Sequence, residues 1–425
     1  MEDITCAWRI VEEKFKVEVA KVEPCEELDP HGSTKSYKVE LRAPTAEAGE
    51  VPMQAGTART PYNMRRLIIQ FKSTWMAMSD SYWATNKVAA MKLARDILYN
   101  TPFDGAVPDV YYWNDGRDRP GEKAWVIQGA APRCETLTRR FNRSDENEQK
   151  AILEQIAQLQ RYFQGYKMPR SYGSCALTST GQIRAGPLEQ PFLGGPFGTT
   201  RDMMRAELQL DLAKAQSHRW LRGWEGEPQL RKQLDEFMTH SMDKMLSEIL
   251  DDEPIFTLNK LELSNFMCDK YEGRITYIID FSYASITHPL MEFFNSYVTM
   301  FGILPFPLDQ NWGILYRAIF EGFEEEDIEV DLRELDILAR TKQIRNPAAS
   351  YRIGRQLYDA FEKAKVMTPR NRKGAKAMAA FKGLCAAVGG QSLVLSSRGT
   401  SFEKVYKAKV KHFAEYLELV STWGN

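Results

Sequence analysis

The sequence predicts an α+β protein of two lobes, a small strand-rich lobe followed by a larger, mainly helical one. Up to residue 131, short segments alternate apolar and polar residues between turn-forming residues, a pattern typical of β-strands. Beyond it, apolar residues recur at helical spacing, as in residues 146–165. A chain of 425 residues is long enough to build both lobes. We therefore place the lobes at 1–131 and 132–425.

The first lobe is predicted to contain five strands in an antiparallel sheet and one helix. The single helix is the stretch SYWATNKVAAMKLARDILYN, which has apolar residues at helical spacing. Between the second and third strands, a Pro-, Gly- and Ala-rich segment reads as a surface insertion. The strands are predicted in FKVEVAKVEP, SYKVELRAP, RRLIIQFKS, VPDVYYWND and AWVIQGAAP.

Bulk composition excludes several classes of protein. Hydrophobic residues at 43% and charged residues at 27% are ordinary for a globular chain. No apolar run reaches the roughly 18 residues of a membrane span, and the charged N-terminus does not fit a secretory signal. Six scattered cysteines without a CxxC pair, with five histidines, argue against a structural zinc site. We expect a reduced, cytoplasmic protein without a membrane partner.

The net charge of −1 conceals an uneven distribution of charge. Residues 321–336 are strongly acidic, whereas Lys363 to Lys411 contain twelve Lys or Arg and one acidic residue. A basic region of this kind (363–412) is either a solvated helix face or a surface for a phosphate-bearing partner such as RNA. On the second interpretation, the nucleic-acid contacts are Arg370, Arg372, Lys373, Lys376, Lys382, Lys404, Lys407, Lys409 and Lys411.

Several sequence motifs occur in a defined order along the chain. A glycine-containing hairpin, HGSTKSYKVEL, precedes the third strand and the helix, and the long loop YGSCALTSTGQIRAGPLEQPFLGGPFGTT follows later. Residues 256–285 then read FTLNKLELSNFMCDKYEGRITYIIDFSYAS. This order resembles the aminoglycoside phosphotransferase-like family, in the form widespread in filamentous fungi. The resemblance spans roughly residues 15–300 and implies a bilobal, protein-kinase-like fold.

The resemblance also implies a place for each part of a phosphotransfer site. The hairpin glycine, Gly32, would cover a nucleotide, and a basic residue of the third strand would meet its phosphates. A Glu of the following helix would pair with that basic residue. A loop of pattern HGD-x4-N would supply the catalytic Asp, and a strand ending in Asp, here Asp280 of IIDFSYA, would hold metal with the loop Asn.

The catalytic loop departs from this pattern. Aligning it on Asn265 puts Lys260 where the catalytic Asp is expected, whereas the metal pair Asn265 and Asp280 is retained. A lysine with an ordinary pKa near 10.4 is charged at neutral pH and cannot accept a proton from an attacking hydroxyl. Glu262, two residues further on, is the candidate for a displaced base. The candidate catalytic residues are therefore Lys260, Glu262 and Asp280.

The nucleotide-binding positions also depart from the family pattern, again with a lysine in place of an acidic residue. Lys87 stands where the helix Glu is expected, and the basic residue of the third strand is either Gln70 or Lys72, depending on the alignment. If Lys72 is correct, it faces Lys87, and an anion is needed between them. The candidate cofactor-binding residues are Gly32, Gln70, Lys72 and Lys87. Either the pocket attracts negative charge, or it is an inactive remnant.

Three functions of different classes follow. The first is a repurposed kinase-fold enzyme that uses aminoacyl-tRNA to form peptide bonds, as in fungal arginine-containing cyclodipeptide synthesis; this hypothesis rests on fold and charge alone. Its partners would be tRNA and an amino-acid or other small-molecule substrate. The second is an ATP-dependent phosphotransferase acting on a small hydroxyl or amine metabolite, which alone would require Mg and ATP. The third is a non-catalytic pseudokinase.

Overall fold

The computed structural model describes most of the chain as two compact units. Residues 1–192 with 254–287 form the first, and 193–253 with 288–425 form the second. Part of the acidic segment (324–336) and residues 390–401 of the basic region lie outside the described residues. None of the described helices is both long and apolar enough to cross a membrane. The structure describes residues 2–28, 32, 34–45, 53–74, 76, 78–117, 122–131, 134–189, 193–296, 318–323, 347–389 and 402–423.

The first unit contains the predicted five-stranded antiparallel sheet, in the order β1-β2-β3-β5-β4. In the central strand β3, Leu67, Ile69 and Phe71 are buried on one face, while Ile68 packs in a second cluster on the other. The sheet is therefore covered on both faces. Its strands are β1 Val19–Pro24, β2 Thr34–Leu41, β3 Arg66–Lys72, β4 Val110–Asn114 and β5 Trp125–Gly129.

A helix that the sequence analysis did not anticipate, α1 (Glu2–Phe15), precedes the sheet. Its residues Ala7, Ile10 and Val11 are buried in the same cluster as Leu67 and Ile69. The prediction of one helix within residues 1–131 is therefore wrong. The charged residues concealed the helix, although the apolar positions follow helical spacing.

The predicted helix is present as α2 (Asp80–Leu98) and is almost entirely buried. The Ser79 hydroxyl caps it by accepting a hydrogen bond from the Tyr82 N–H at 3.1 Å. The Glu189 carboxylate accepts from both the N–H and the hydroxyl of Ser79, at 3.2 and 2.5 Å. A carboxylate at this end complements the helix dipole, so the long loop anchors the start of α2.

The long loop contains a β-hairpin, β7 (Gly173–Leu177) and β8 (Ile183–Gly186). It joins a four-stranded antiparallel sheet in the order β8-β7-β12-β9. A Cβ added at Gly173 would lie 2.2 Å from the carbonyl oxygen of Gly186, so the two strands approach closely there. The small residues that permit this approach also conceal the alternation of a strand in the sequence.

The remaining elements of the first unit frame the 256–285 segment. The three-stranded antiparallel sheet runs in the order β11-β10-β6, and α4 packs against β9 through Phe163 and Phe256. These elements are β6 Cys134–Thr136, α3 Leu137–Arg143, α4 Glu146–Gly165, β9 Ile255–Thr257, β10 Phe266–Asp269, β11 Ile275–Ile278 and β12 Ser285–Thr287.

The described part of the second unit is helical, as predicted for this part of the chain. Trp224 is fully buried in it, donates to the carbonyl of Val388 at 3.2 Å and packs on the Phe413 ring. A π-helical turn, Phe237–Ser241, joins α6 to α7. The helices are α5 Thr200–Ser217, α6 Pro228–Glu236, α7 Met242–Ser247, α8 Pro289–Ser296, α9 Pro347–Ala364, α10 Ala375–Val388 and α11 Phe402–Ser421.

Candidate active site

The inner face of α2 is fixed to the segment that follows β11. The Trp83 indole N–H donates to the Ser282 hydroxyl at 3.0 Å. The Asn86 amide donates to the carbonyls of Ser282 and Ala284, at 3.3 and 3.1 Å, and its oxygen accepts from the Cys175 N–H at 2.8 Å. Asn86 therefore ties α2 both to this segment and to the β7–β8 hairpin. Sequence analysis missed these residues, because a buried Asn or Trp carries no spacing signal.

Lys87, one residue after Asn86, forms a buried ion pair with Asp280. Its Nζ lies 3.6 Å from Asp280 Oδ1, and the two side chains are 0% and 3% exposed. The same oxygen accepts hydrogen bonds from the N–H and hydroxyl of Ser282, at 2.8 and 2.6 Å. Buried charges persist in proteins when they are paired and hydrogen-bonded, and the Asp280 carboxylate meets both conditions. Two candidates that the sequence analysis assigned to different roles are thus brought together.

Gln70 and Lys72 occupy quite different surroundings. Gln70 is fully buried, and its amide donates to the Ser36 hydroxyl at 2.8 Å. Lys72 instead donates to the carbonyls of Met76 and Met78 and lies 3.2 Å from Asp80. Lys72 and Lys87 each have a carboxylate partner of their own, so neither charge requires an anion between them.

The side chain of Asn265 is engaged by the backbone of Asp280. Its Oδ1 accepts from the Asp280 N–H at 2.8 Å, and its Nδ2 donates to the Asp280 carbonyl at 3.0 Å. Asn265 is fully buried. This reciprocal pair holds the catalytic loop to the end of β11 and uses both polar atoms of the amide.

A magnesium site on Asn265 and Asp280 does not fit this arrangement. Magnesium requires oxygen ligands at about 2.0–2.1 Å in near-octahedral geometry. The Asn265 oxygen is turned to the Asp280 backbone, and Asp280 Oδ1 already has two donors and an ammonium group around it. Within the described ranges, no group of three or more His, Cys, Asp or Glu side chains is placed to hold a metal.

The loop between β9 and β10 supports the alignment made from the sequence. Asn259 has a left-handed backbone, with φ 55°, at the position aligned with the Gly of HGD. Gly and Asn tolerate this conformation better than other residues. The Asn259 amide donates to the Tyr283 carbonyl and the Ser285 hydroxyl, both at 2.8 Å. The same backbone turn is therefore available to either residue type.

Lys260 and Glu262, the two candidates for the missing base, lie in different settings. Lys260 Nζ lies 5.5 Å from the centre of the Tyr283 ring, within range of a cation–π interaction. Glu262 is 5% exposed, and its carbonyl accepts from the Asn265 N–H at 2.9 Å. The Glu262 carboxylate is thus held beside the turn Leu263–Asn265, whereas Lys260 packs over an aromatic ring.

A cavity of about 390 Å³ lies in the first unit, against the face of β1–β3 opposite α1. Ile68, Leu28 and Met267 supply apolar walls, and Ala130 and Ala131 follow β5 along one edge. Among the described residues, no hydrogen bond engages the backbone of Ala130 or Ala131. The cavity also has a charged set of lining residues, Lys21, Glu23, Glu27, Lys38, Glu40 and Arg66.

Sequence analysis did not identify this cavity. None of the four candidate nucleotide residues lines it; Gly32 lies in the β1–β2 connection with φ 64°. The missed signal was the second face of the strands. Ile68 alternates with Leu67 and Ile69, and an apolar residue there is explained only by burial on a second face.

Some of the candidate nucleic-acid residues are buried, and others are exposed at the surface. Lys409 is 5% exposed and donates to the Ala386 carbonyl at 2.6 Å, and burial lowers its pKa to about 8. Lys382 pairs with Glu207, and Arg372 with the buried Asp252. The remaining ion pairs in this set are Arg370–Glu362, Lys376–Glu321, Lys407–Glu403 and Lys411–Glu415.

These partners limit the predicted phosphate contacts. The ammonium groups of Lys382 and Lys409 point into the second unit, which leaves neither available to a phosphate. Lys373 and Lys404 carry no ion pair among the described residues. The nucleic-acid interface stays a prediction, and it would depend on Lys373 and Lys404 together with exposed residues that are paired with carboxylates.

The fold and the catalytic loop define the class of protein, a kinase-like phosphotransferase fold. A profile described as the phosphotransferase enzyme family (APH) matches residues 77–329, which is more than half of the chain. The chain belongs to this family. The predicted α+β, kinase-like fold is therefore confirmed.

Solved structures of this class are similar to the chain over nearly its whole length. ADP-bound aminoglycoside phosphotransferase APH(2'')-Ib is 10% identical, with 97% of this chain and 98% of that chain covered and a TM-score of 0.48. The streptomycin–ATP complex of APH(2'')-IIa is 11% identical, with 97% of each chain covered and a TM-score of 0.46. An ethanolamine kinase of Plasmodium vivax is 9% identical, with 93% of this chain and 82% of that chain covered and a TM-score of 0.38. No curated protein matches the chain.

Proposed function

We propose that this protein binds a nucleotide in the cavity beneath β1–β3 and does not carry out metal-dependent phosphoryl transfer. The observation that carries the proposal is the state of Asp280 and Asn265. Asp280 is paired with Lys87, and the Asn265 amide is engaged by the Asp280 backbone. Phosphotransferases of this fold depend on such residues to position metal and phosphate.

The cavity supports the nucleotide half of the proposal. Its apolar walls offer Ile68 and Met267 to the faces of a planar base. The backbone N–H and C=O groups of Ala130 and Ala131, beside these walls, can donate to and accept from the edge of the base. Charged residues such as Lys38 and Arg66 also line the cavity and suit a phosphorylated ligand.

The catalytic loop supports the other half. Lys260 occupies the aligned position of the catalytic Asp and packs over Tyr283, so no carboxylate is present at that position. Gln70 brings no positive charge from β3 towards a phosphate. Membership of the phosphotransferase family is compatible with a member that retains the ligand and loses the transfer.

The test is calorimetric titration of the purified protein with ADP, ATP and GTP, beside a coupled assay for nucleotide hydrolysis. We expect binding without turnover. Ala131→Phe narrows the cavity and should weaken binding at least about tenfold, since a buried wall contact is replaced by a clash. Ala185→Phe, the same change at a partly exposed alanine of β8 outside the cavity, is the matched control. Absence of nucleotide binding in the unaltered protein would refute the proposal.

The second candidate is an ATP-dependent phosphotransferase acting on a small hydroxyl or amine metabolite. Family membership favours it, and so does the buried Glu262, which could serve as a base from within the catalytic loop. Turnover would require the Asn265 amide to leave the Asp280 backbone. Phosphorylation of a hydroxyl or amine acceptor that is abolished by Glu262→Gln would favour this candidate over the first.

The aminoacyl-tRNA-dependent transferase has less support. Its tRNA contacts were predicted in the basic region, where the partly buried Lys382 pairs with Glu207 and the buried Lys409 donates to the Ala386 carbonyl. The family match is to phosphotransferases, which supports the nucleotide hypotheses more directly. Salt-dependent binding of total tRNA remains the measurement that would restore this hypothesis.

A further inference from the structure

We propose that the Lys87 side chain is a built-in cation that takes the place of a divalent metal at Asp280. It follows that nucleotide binding by this protein does not depend on Mg²⁺. The independence of nucleotide binding from Mg²⁺ rests on the proposed function. The replacement of a metal by Lys87 at Asp280 does not rest on it.

The position of Lys87 is fixed by its neighbours on α2. Trp83 and Asn86, four residues and one residue before it, are hydrogen-bonded to Ser282 and Ala284, which follow Asp280 closely. The Lys87 ammonium also lies 5.7 Å from the Trp83 ring. Because these bonds join the helix to the segment immediately beside the ion pair, the buried ammonium is held next to the carboxylate.

The charge balance then argues against a metal. Asp280 contributes one negative charge and Lys87 one positive charge, and Asn265, which is hydrogen-bonded to the Asp280 backbone, contributes none. A divalent ion at Asp280 would add two positive charges beside a buried pair that is already neutral, which is unfavourable. A site without Lys87 would have the opposite imbalance, a buried carboxylate that attracts a cation.

Removing the lysine should therefore let the Asp280 carboxylate bind a divalent cation whose remaining ligands are water molecules. We expect Lys87→Met to bind Mn²⁺ at least about tenfold more tightly than the unaltered protein, because Asp280 loses its counter-ion. Mn²⁺ binding is measured by electron paramagnetic resonance of the free ion and by calorimetry, without nucleotide. In thermal unfolding, Mn²⁺ should raise the midpoint of Lys87→Met and leave that of the unaltered protein unchanged.

Two variants serve as controls. Lys92→Met removes a lysine of the same helix that pairs with Asp96 at 2.7 Å on the surface, and it should not change Mn²⁺ binding. Lys87→Met combined with Asp280→Asn removes both charges and should abolish the gain. Folding of each variant is checked by circular dichroism before titration.

A measurement on the unaltered protein needs no variant. Its affinity for ADP should be the same within about twofold in Mg²⁺ and in EDTA, since no metal mediates the contact. The inference is overturned if binding requires Mg²⁺, or if folded Lys87→Met binds Mn²⁺ no better than the unaltered protein. If no nucleotide binds at all while Lys87→Met gains Mn²⁺, the proposed function fails and the assignment of Lys87 stands.

Discussion

Asn259 shows how one residue can preserve the shape of a motif whose letters have changed. Its left-handed backbone and its two hydrogen bonds, to the Tyr283 carbonyl and the Ser285 hydroxyl, hold the loop before Lys260. The sequence alignment placed Asn259 at a glycine position, and the backbone supports that placement. What the alignment could not reveal is that the amide also ties the loop to the segment after Asp280.

Replacing this residue tests both roles. Asn259→Ala should lower the free energy of unfolding by about 2–3 kcal/mol, since it loses two hydrogen bonds and since alanine tolerates the left-handed backbone less well than asparagine. Asn259→Gly loses only the hydrogen bonds and should cost less. Urea denaturation of the three proteins gives the comparison, and equal losses for both variants would show that backbone strain contributes nothing.

His288 should make the stability of the protein depend on pH. Burial lowers its pKa to about 4, its Nδ1 accepts from the Leu290 N–H, and its Nε2 lies 3.0 Å from Asp252. In the unfolded chain its pKa returns to about 6.5. Between these two values the unfolded state binds the extra proton, so acidification favours unfolding.

The expected size of this effect is about 2 kcal/mol of lost unfolding free energy from this residue between pH 7 and pH 5. Denaturation curves at the two pH values give the total change in unfolding free energy, to which the other titrating groups also contribute. His288→Asn is the control, because its amide oxygen can still accept from the Leu290 N–H but cannot titrate. A pH dependence identical in both proteins would contradict the assigned cause.

At the scale of elements, the β7–β8 hairpin connects the long loop to α2. The Cys175 N–H donates to Asn86, and Glu189, just after the hairpin, holds Ser79 at the helix start. Sequence analysis described this segment as a long loop and predicted no strands in it. Strand propensity is low in a run of Gly, Ser, Thr and Ala, and pairing with β12 supplies the order that the residues themselves lack.

Gly173 is the position at which this hairpin is most sensitive. In Gly173→Ala, the new Cβ would lie 2.2 Å from the Gly186 carbonyl oxygen, so the strands must separate. We expect faster amide hydrogen exchange along β7 and the first turns of α2, and a lower unfolding midpoint. Gly165→Ala, where nothing lies within 4 Å of the added Cβ, should alter neither measurement. Unchanged exchange in α2 would show that the hairpin does not support the helix.

The elements also show where sequence patterns succeed. The apolar positions predicted for α2 and α4 are buried because a 3.6-residue period directly reflects one packed face. The α1 helix was missed because its charged residues are interspersed among the apolar ones that pack against the sheet. The choice between Gln70 and Lys72 could not be made from the sequence, since residues two apart in a strand lie on the same face.

At the scale of the whole molecule, family membership was predictable because motifs recur in a fixed order over a long stretch of chain. The pairing of Lys87 with Asp280 was not, since 193 positions separate them and no local pattern links a helix lysine to a strand-end carboxylate. The proposed function depends on this pair. The sequence therefore indicated the scaffold and the altered positions, but not what the altered residues do together.

The charge distribution of the whole chain leads to a prediction about RNA. The net charge is −1, and the described basic side chains of 370–411 are mostly buried or paired with carboxylates. We expect binding of total tRNA to be weak at physiological salt, with a shallow dependence on salt concentration. Filter binding at two salt concentrations measures this. Tight binding that falls steeply with salt, and that is lost on replacing Lys373 and Lys404 together, would reverse the expectation.

The buried pair of Lys87 and Asp280 also constrains how this chain can change over generations. A mutation at either position alone leaves one charge buried without its counter-ion, which typically costs about 3–5 kcal/mol, a large share of the stability of a domain. A return to metal chemistry at Asp280 would thus pass through a weakened intermediate unless metal were already at hand to rescue it. The internal cation therefore makes single mutations at either position costly and favours retention of both residues.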